Sequence, residues 1–398
     1  MAEARGTRQR QEIYLDAAAT TAPTARVREV MQPWIGVNPE GSSLWGNPST
    51  LHTRGQKARV AVERARRNIA QHFGVNAAHL TFTAGATEAN NLIIHGAYLA
   101  HILKHGHDSQ FTLVTTEIEH SSVRKTADLL ERLGCKMIRL KPDSQGMIST
   151  SKLEEVLSHH GRSINLISIM LVNNETGVIS PYAELAALAH DHQIPLHMDA
   201  VQGLRAMDIS SVTAQPGITA LSFSAHKVGG PQGSGLLWNK EPMLITGLIQ
   251  GGGQERDLRS GTEAVGMIVG AGAAYSDACE DANTFAKTTH QTAHALLEAL
   301  DKHNVEYTLH AEGADRVPSI MNLEFPGLDA QSLLITLDMA GIAASTGSAC
   351  SAGGSEVSHV LTAMDINPKR IASSLRFSFS EAISHEDLDH VAKTIKNA

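Results

Sequence analysis

Ile218-Thr219-Ala220-Leu221-Ser222-Phe223 runs straight into Ser224-Ala225-His226-Lys227-Val228-Gly229-Gly230-Pro231-Gln232-Gly233-Ser234-Gly235, and the reading of that junction decides the fold. An apolar run of strand length that ends in small and polar residues is the carboxyl end of a buried strand opening into a loop. Lys227 sits at that opening. An amine attacks an aldehyde only after losing its proton, and a strand-end position beside His226 favours that loss. The functional reading is a Schiff-base lysine, and with it an aldehyde cofactor that carries a phosphate. The plain alternative is an ordinary surface lysine ahead of a glycine-rich turn, so the rest of the chain has to decide.

Outward from that junction, strand-like and helix-like segments alternate through the first two thirds of the chain, the pattern of βα units and a largely parallel sheet. The expected strands are Leu80–Thr83, Phe111–Thr115, Met137–Leu140, Leu166–Leu171, Pro195–Met198 and Leu221–Phe223. Leu236-Leu237-Trp238 also reads as a strand, which weakens a dinucleotide site at Gly230 to Gly235, since that fingerprint needs a helix there. Between the strands the spacing predicts helices over Gln56–Phe73, Glu88–Leu103, Ser121–Leu133, Ser151–His159 and Pro181–His192, the last with proline in its first turn. Past Thr262 the rhythm becomes one long alanine-rich helix over Glu263–Lys302, then shorter elements and a helix at His385–Lys396. The expected fold is α/β, a mostly parallel sheet flanked by helices. A larger unit spans residues 24–262, and a smaller α+β unit is made of 263–398 and completed by 1–23.

A chain of 398 residues can bury a large core, and 42% hydrophobic content with little aromatic is that of an ordinary globular protein. The formal charge of −8 argues against nucleic acid or an anionic membrane and towards a small substrate. Three scattered cysteines, Cys135, Cys279 and Cys350, exclude a disulfide framework and a Cys-x-x-Cys metal site and suit a reducing compartment. No run reaches the roughly 20 apolar residues of a membrane span, and Met1 to Gln11 reads as a frayed polar leader, so a cytoplasmic location is expected. The 21 histidines raise a rival, metal-binding reading, chiefly at His101-x-x-x-His105-x-His107, but no carboxylate or cysteine cluster completes a shell.

In an open α/β sheet a ligand binds beyond the carboxyl ends of the strands, where loops converge and helix N-termini present free N–H groups. Five polar clusters each follow an expected strand: Ala84-Gly85-Ala86-Thr87-Glu88, Glu117-Ile118-Glu119-His120, Asn173-Asn174-Glu175-Thr176-Gly177, Asp199-Ala200-Val201-Gln202 and Ser224-Ala225-His226-Lys227. All five are expected on one rim. The turn from Ala84 to Thr87 can hold a phosphate on its N–H groups and the Thr87 hydroxyl, unless Thr87 is simply a helix cap. Asp199 ends an apolar run and calls for a cationic partner, which a protonated pyridine nitrogen would supply; capping the next helix is its plain role. His120 suits stacking on a flat ring and moving protons near neutral pH. Asn174 and Gln202 offer uncharged donors to a ring oxygen, and Thr262, in Arg259-Ser260-Gly261-Thr262, is either a phosphate contact or an N-cap.

Two residues lie further on. Cys350 sits in the small-residue stretch Ser345-Thr346-Gly347-Ser348-Ala349-Cys350-Ser351-Ala352-Gly353-Gly354-Ser355, a context that lets a thiol reach a target and leave with cargo. Cys135 and Cys279 have core-like or helix-like surroundings in which inert burial is expected. Arg376, in Ser373-Ser374-Leu375-Arg376-Phe377-Ser378, carries a fork that grips a substrate carboxylate or makes a structural ion pair.

Together these segments resemble the cysteine desulfurases among the fold-type I, class V pyridoxal-phosphate enzymes. The likeness is collinear from Tyr14-Leu15-Asp16-Ala17-Ala18-Ala19-Thr20-Thr21 to about Phe379, and takes in Gly46-Asn47-Pro48-Ser49 and Gly251-Gly252-Gly253-Gln254-Glu255. The Ser-Ala-Cys loop is similar to that of the first group of the family, the housekeeping and nitrogen-fixation type. The resemblance implies that L-cysteine is converted to L-alanine, its sulfur passing to Cys350 as a persulfide and on to an acceptor such as an iron–sulfur scaffold protein. It implies pyridoxal 5′-phosphate joined to Lys227 as an imine, Asp199 on the pyridine nitrogen, Gln202 and Asn174 at the ring border and His120 stacked on its face. Ala86, Thr87, Ser224 and His226 would hold the phosphate, with Thr262 supplied by the second subunit of a homodimer. Arg376, with Asn174 beside it, would bind the substrate. No resident metal is implied, and whether Cys350 ligates a cluster in transit stays open. A selenocysteine lyase or another class V lyase or transaminase would share every cofactor residue and differ mainly at Cys350. The sequence departs from the family at Ala84 and Ala225, both small, and stops at Ala398 without the long tail that housekeeping members use on a scaffold, which puts delivery to that partner in doubt.

Overall fold

The computed structural model describes residues 12–36, 43–240, 245–347 and 357–398. The described chain opens with the short strand Ile13–Tyr14 (β1) and then builds a seven-stranded sheet from Leu80–Thr83 (β2), Thr112–Thr116 (β3), Lys136–Leu140 (β4), Leu166–Ser168 (β5), Leu196–Asp199 (β6), Ile218–Ser224 (β7) and Gly235–Asn239 (β8). Their order across the sheet is β2-β8-β7-β6-β5-β3-β4. Only β8 runs against the rest; it is antiparallel to both β2 and β7, which leaves β2 pointing the same way as β7. The carboxyl ends of β2, β3, β5, β6 and β7 therefore share one rim, as expected for the five polar clusters.

The sequence builds this sheet because both of its faces are covered. Strands such as Leu113-Val114 and Leu221-Ser222-Phe223 are buried throughout, so they read as continuous apolar runs. Helices Ala86–His105 and Ser121–Arg132 cover one face with Leu92, Ile93, Val123 and Leu130. Helix Thr53–Phe73 and its neighbours cover the other through Ile69, Phe73 and Leu185. The expected strand over 166–171 ends at Ser168, although Ile169 N and Leu171 N still donate to His197 and Asp199 carbonyls at 3.1 and 2.9 Å.

The single helix expected over Glu263–Lys302 is corrected: the structure has two, Val265–Glu280 and Ala282–Lys302, broken at Asp281. The alanine-rich rhythm runs through the break, but the apolar faces point into different cores. Val265, Ile268, Ala271 and Tyr275 join the core of the large sheet, whereas Ala293, Leu296 and Leu300 join a second one. At Gly272 a β carbon would lie 2.8 Å from the Ala65 β carbon, so the first helix needs glycine to seat on helix Thr53–Phe73.

That second core belongs to a three-stranded antiparallel sheet of Thr308–Leu309 (β9), Ile320–Glu324 (β10) and Ser374–Ser378, in the order last strand, β10, β9. Ile342–Ala343 (β11) lies between them in the chain and pairs in parallel with β1, which makes Ser374–Ser378 β12. Ile13 and Leu15 from the start of the chain are buried beside Leu323, Phe377 and Leu388. The closing helix His385–Lys396 is found as expected. Among the described residues no helix is long and apolar enough to cross a membrane.

One turn departs from ordinary backbone. Gly253, Glu255, Arg256 and Asp257 all have positive φ, the last three at 48°, 58° and 65°. The turn is tied to helix Thr53–Phe73 by a buried, bidentate pair, Arg66 Nη2 to Glu255 Oε1 at 2.7 Å and Arg66 Nη1 to Glu255 Oε2 at 2.8 Å. Glu255 Oε2 also accepts from Phe82 N at 2.9 Å, and Arg66 Nη1 donates to Leu80 O at 2.7 Å.

Candidate active site

A cavity of about 880 Å³ opens at the rim where the five parallel strands end. Ala86, Thr87, His120, Asn174, Asp199, Gln202, Ser224, His226, Lys227 and Arg376 all line it. One expected residue among those described does not. Thr262 is exposed and caps nothing, since the following helix begins at Val265 with Ala264 as N-cap. Cys350 lies outside the described residues.

Lys227 leaves the end of β7 in a short 3-10 turn, Ala225–Lys227, and its Nζ donates to the carbonyls of Ala18 and Ala19 at 2.6 and 2.7 Å. The segment after β1 thus forms one wall. Gln202 Nε2 donates to the same Ala18 carbonyl at 3.0 Å, and Thr20 Oγ1 lies 3.0 Å from His226 Nδ1. Burial, with the nearby Lys227 charge, pushes His226 down to about 4, so its ring is neutral at physiological pH.

The helix that starts at Ala86 has Gly85 as N-cap and no side-chain cap, which removes the plain role for Thr87. Its first N–H groups are then available to an anion at the cavity wall. Glu88 holds the turn from behind, accepting from Ala84 N at 3.0 Å and from Arg259 Nε at 2.9 Å. A β carbon on Gly235 would come within 2.4 Å of the Gly85 carbonyl carbon, so β8 and this turn touch backbone to backbone. Ser224, buried at the end of β7, faces the same turn.

Asp199 is 6% exposed at the end of β6. Its Oδ2 accepts from Asn90 Nδ2 at 2.7 Å and its Oδ1 from Val201 N at 3.1 Å, both uncharged donors. Burying a carboxylate with only neutral donors is costly, and a cationic ring nitrogen in the cavity would offset it. His120 ends the loop after β3 and caps helix Ser121–Arg132, its Nδ1 accepting from Ser122 N at 3.2 Å. Arg376, buried on β12, donates from Nη2 to Asp16 Oδ1 at 2.7 Å and from Nη1 to the Asn174 carbonyl at 2.9 Å. The structural ion pair is therefore present, yet Nε is buried without a partner among the described residues and the side chain still lines the cavity.

Sequence reading missed two buried acids beside the site. Glu119 accepts from Thr116 Oγ1 at 2.7 Å and Met170 N at 3.0 Å, and burial pushes it up to about 8. Glu175 is also raised by burial, against the opposing pull of a 2.6 Å hydrogen bond from Ser358 Oγ and of nearby His359, Arg376 and His120. Both stand in clusters read for other residues, and only their zero or near-zero exposure sets them apart. The histidines at 101 and 105 stack with ring centroids 4.8 Å apart, and His101 Nδ1 lies 3.1 Å from Asn165 Nδ2. Among the described residues no group of three or more His, Cys, Asp or Glu could hold a metal ion.

The residues present fit pyridoxal phosphate, with an amine, a buried carboxylate for a cationic ring nitrogen and an uncapped helix start for a phosphate, and they leave an arginine for the carboxylate of an amino-acid substrate. The aminotransferase class-V family model matches residues 13–391, and the chain belongs to that family. The cysteine desulfurase IscS of Dictyoglomus turgidum is 34% identical over 97% of this chain and 94% of its own. Among solved structures, a NifS-like protein superposes with a TM-score of 0.86 at 30% identity, covering 97% of this chain and 99% of the other. SspA in complex with cysteine gives 0.79 at 31% identity, covering 94% and 100%.

Proposed function

We propose that this protein is a pyridoxal-phosphate-dependent cysteine desulfurase that converts L-cysteine to L-alanine and passes the sulfur, through a persulfide on Cys350, to an acceptor protein. The carrying observation is the cavity into which Lys227, Asp199 and His120 converge from the ends of β7, β6 and β3 and Arg376 from within β12. The family membership, the desulfurase relative and the cysteine complex of SspA support the substrate. An iron–sulfur scaffold is one acceptor this reading allows, and a cytoplasmic homodimer, with Thr262 completing the partner's site, belongs to the same proposal. The two-unit division is proposed in amended form, with helix Val265–Glu280 in the larger unit by its core contacts.

Bound in the cavity, pyridoxal phosphate supplies an electron sink for negative charge on the substrate's α carbon. Lys227 Nζ would be its covalent anchor and would serve as the base that removes and returns the substrate's α proton. Asp199, aimed by Asn90 and Val201, keeps a proton on the ring nitrogen. The uncapped start of helix Ala86–His105, Thr87, Ser224 and neutral His226 hold the phosphate, Gln202 and Asn174 border the ring, and Arg376 orients the substrate carboxylate. His120 stacks on the ring and moves protons from Nε2. Cys350 Sγ, as thiolate, attacks the substrate sulfur; the new S–S bond forms as the C–S bond breaks, and the carbon keeps that electron pair and is protonated to the alanine methyl.

Borohydride should remove the visible absorbance of the purified protein and leave a reduced adduct that maps to Lys227. Cys350→Ala should keep the absorbance and lose sulfur release from L-cysteine; undiminished turnover in that variant would overturn the assignment. Activity on selenocysteine alone would favour the lyase reading.

A further inference from the structure

Asp199 and His120 approach the cavity from different strands, yet one side chain joins them. Asn90, fully buried on helix Ala86–His105, donates from Nδ2 both to Asp199 Oδ2 at 2.7 Å and to Ser122 Oγ at 2.8 Å. Ser122 Oγ in turn lies 2.8 Å from His120 Nδ1. The direction of each proton follows. An ionised carboxylate only accepts, so Asn90 must present nitrogen to Asp199, and both of its amide hydrogens are then committed. Ser122 Oγ has accepted one of them and turns its own hydrogen to His120 Nδ1, which also accepts from Ser122 N at 3.2 Å. With two donors on Nδ1, the neutral ring keeps its hydrogen on Nε2. Among the described residues Asn90 Oδ1 is buried with no partner, a cost that an apolar side chain would avoid, so this amide is retained for its two donors.

We infer that Asn90 is a positioning residue for both Asp199 and His120: one amide aims the carboxylate and, through Ser122, fixes which imidazole nitrogen carries hydrogen. The carboxylate arm rests on the cavity being a pyridoxal-phosphate site; the imidazole arm does not.

The test uses ring ¹⁵N chemical shifts of His120 in the full-length apoprotein, together with the dissociation constant for pyridoxal phosphate. Wild type should show hydrogen on Nε2 alone. Asn90→Ala should raise the share of the Nδ1-protonated tautomer above that of wild type and bind the cofactor about tenfold or more weakly, the loss of one hydrogen bond to a charged group. Ser122→Ala keeps the backbone N–H donor to Nδ1 but loses the hydroxyl, so it should raise the same share with cofactor affinity within about twofold of wild type, because the Asn90–Asp199 bond survives. The relay is refuted by a wild-type ring protonated on Nδ1, by ring shifts in either variant that equal those of wild type, or by Ser122→Ala weakening the cofactor as much as Asn90→Ala. If Asn90→Ala does not fold, the tautomer in Ser122→Ala decides. If wild type takes up no pyridoxal phosphate at Lys227, the functional reading falls, while the apoprotein shifts still judge the relay.

Discussion

His226 lines the cavity and Glu119 is buried beside it, and the two are shifted in opposite senses, which makes the region's pH response testable one residue at a time. Glu119 is raised by burial to about 8, so above the ordinary carboxylate range its folded form holds a proton that the unfolded chain has lost; stability from this group is full below that range and drains away as pH rises towards 8 and just past it. Glu119→Gln cannot ionise and should not show the loss of about 1 kcal/mol expected in wild type between pH 7 and pH 9, as read from urea unfolding midpoints. His226 is depressed to about 4 by burial and then by Lys227, so its contribution is present above the ordinary imidazole range and lost as pH falls towards 4; His226→Gln should remove that acid-side loss. Arg376→Lys keeps the charge but not the fork. It should raise KM for L-cysteine about tenfold or more, leaving the cofactor spectrum unchanged, because a lysine makes no bidentate grip.

The left-handed turn at Gly253 to Asp257 shows how an element can be held in place by residues far away in sequence. Glu255→Ala would strand the Arg66 charge in the core, and a loss of about 3–5 kcal/mol is expected in denaturant unfolding. Asp257→Gly, at φ 65°, should raise the thermal midpoint, since relief of up to about 1 kcal/mol at a left-handed position outweighs the entropy of a glycine. Nothing in the sequence announces this turn. Its glycines end at Gly253, and its anchor Arg66 is 189 residues from Glu255. Strands were legible because burial on both faces writes them as apolar runs, and the rim clusters were legible because each follows such a run. The break at Asp281 was not, since the alanine rhythm is blind to which core a face enters. Asn90 escaped for a similar reason: a buried amide inside an apolar helix looks inert until its partners on two other elements are known.

At the scale of the whole molecule, Thr262 is the residue that this chain's own cavity does not explain. It is exposed, on the segment that Arg259 ties to Glu88. In a homodimer that shares it, mixing Lys227→Ala chains with Thr262→Ala chains should restore one tight cofactor site per mixed dimer, measured as recovered sulfur release; a protein that sediments as a monomer with full activity would exclude the sharing. The fold also sets an order on how the cavity is finished. Its wall at Ala18 and Ala19 follows the first described strand, β1, and among the described residues that strand pairs with β11 at Ile342–Ala343 alone. On a ribosome adding about 5–20 residues per second, the front of the nascent chain must wait on the order of 15 to 70 seconds for its pairing strand to emerge. Until then the lysine lacks its carbonyl wall and Arg376, not yet made, lacks Asp16. On the proposed function, vitamin loading of this polypeptide should accordingly follow the emergence of its last strands rather than guide synthesis.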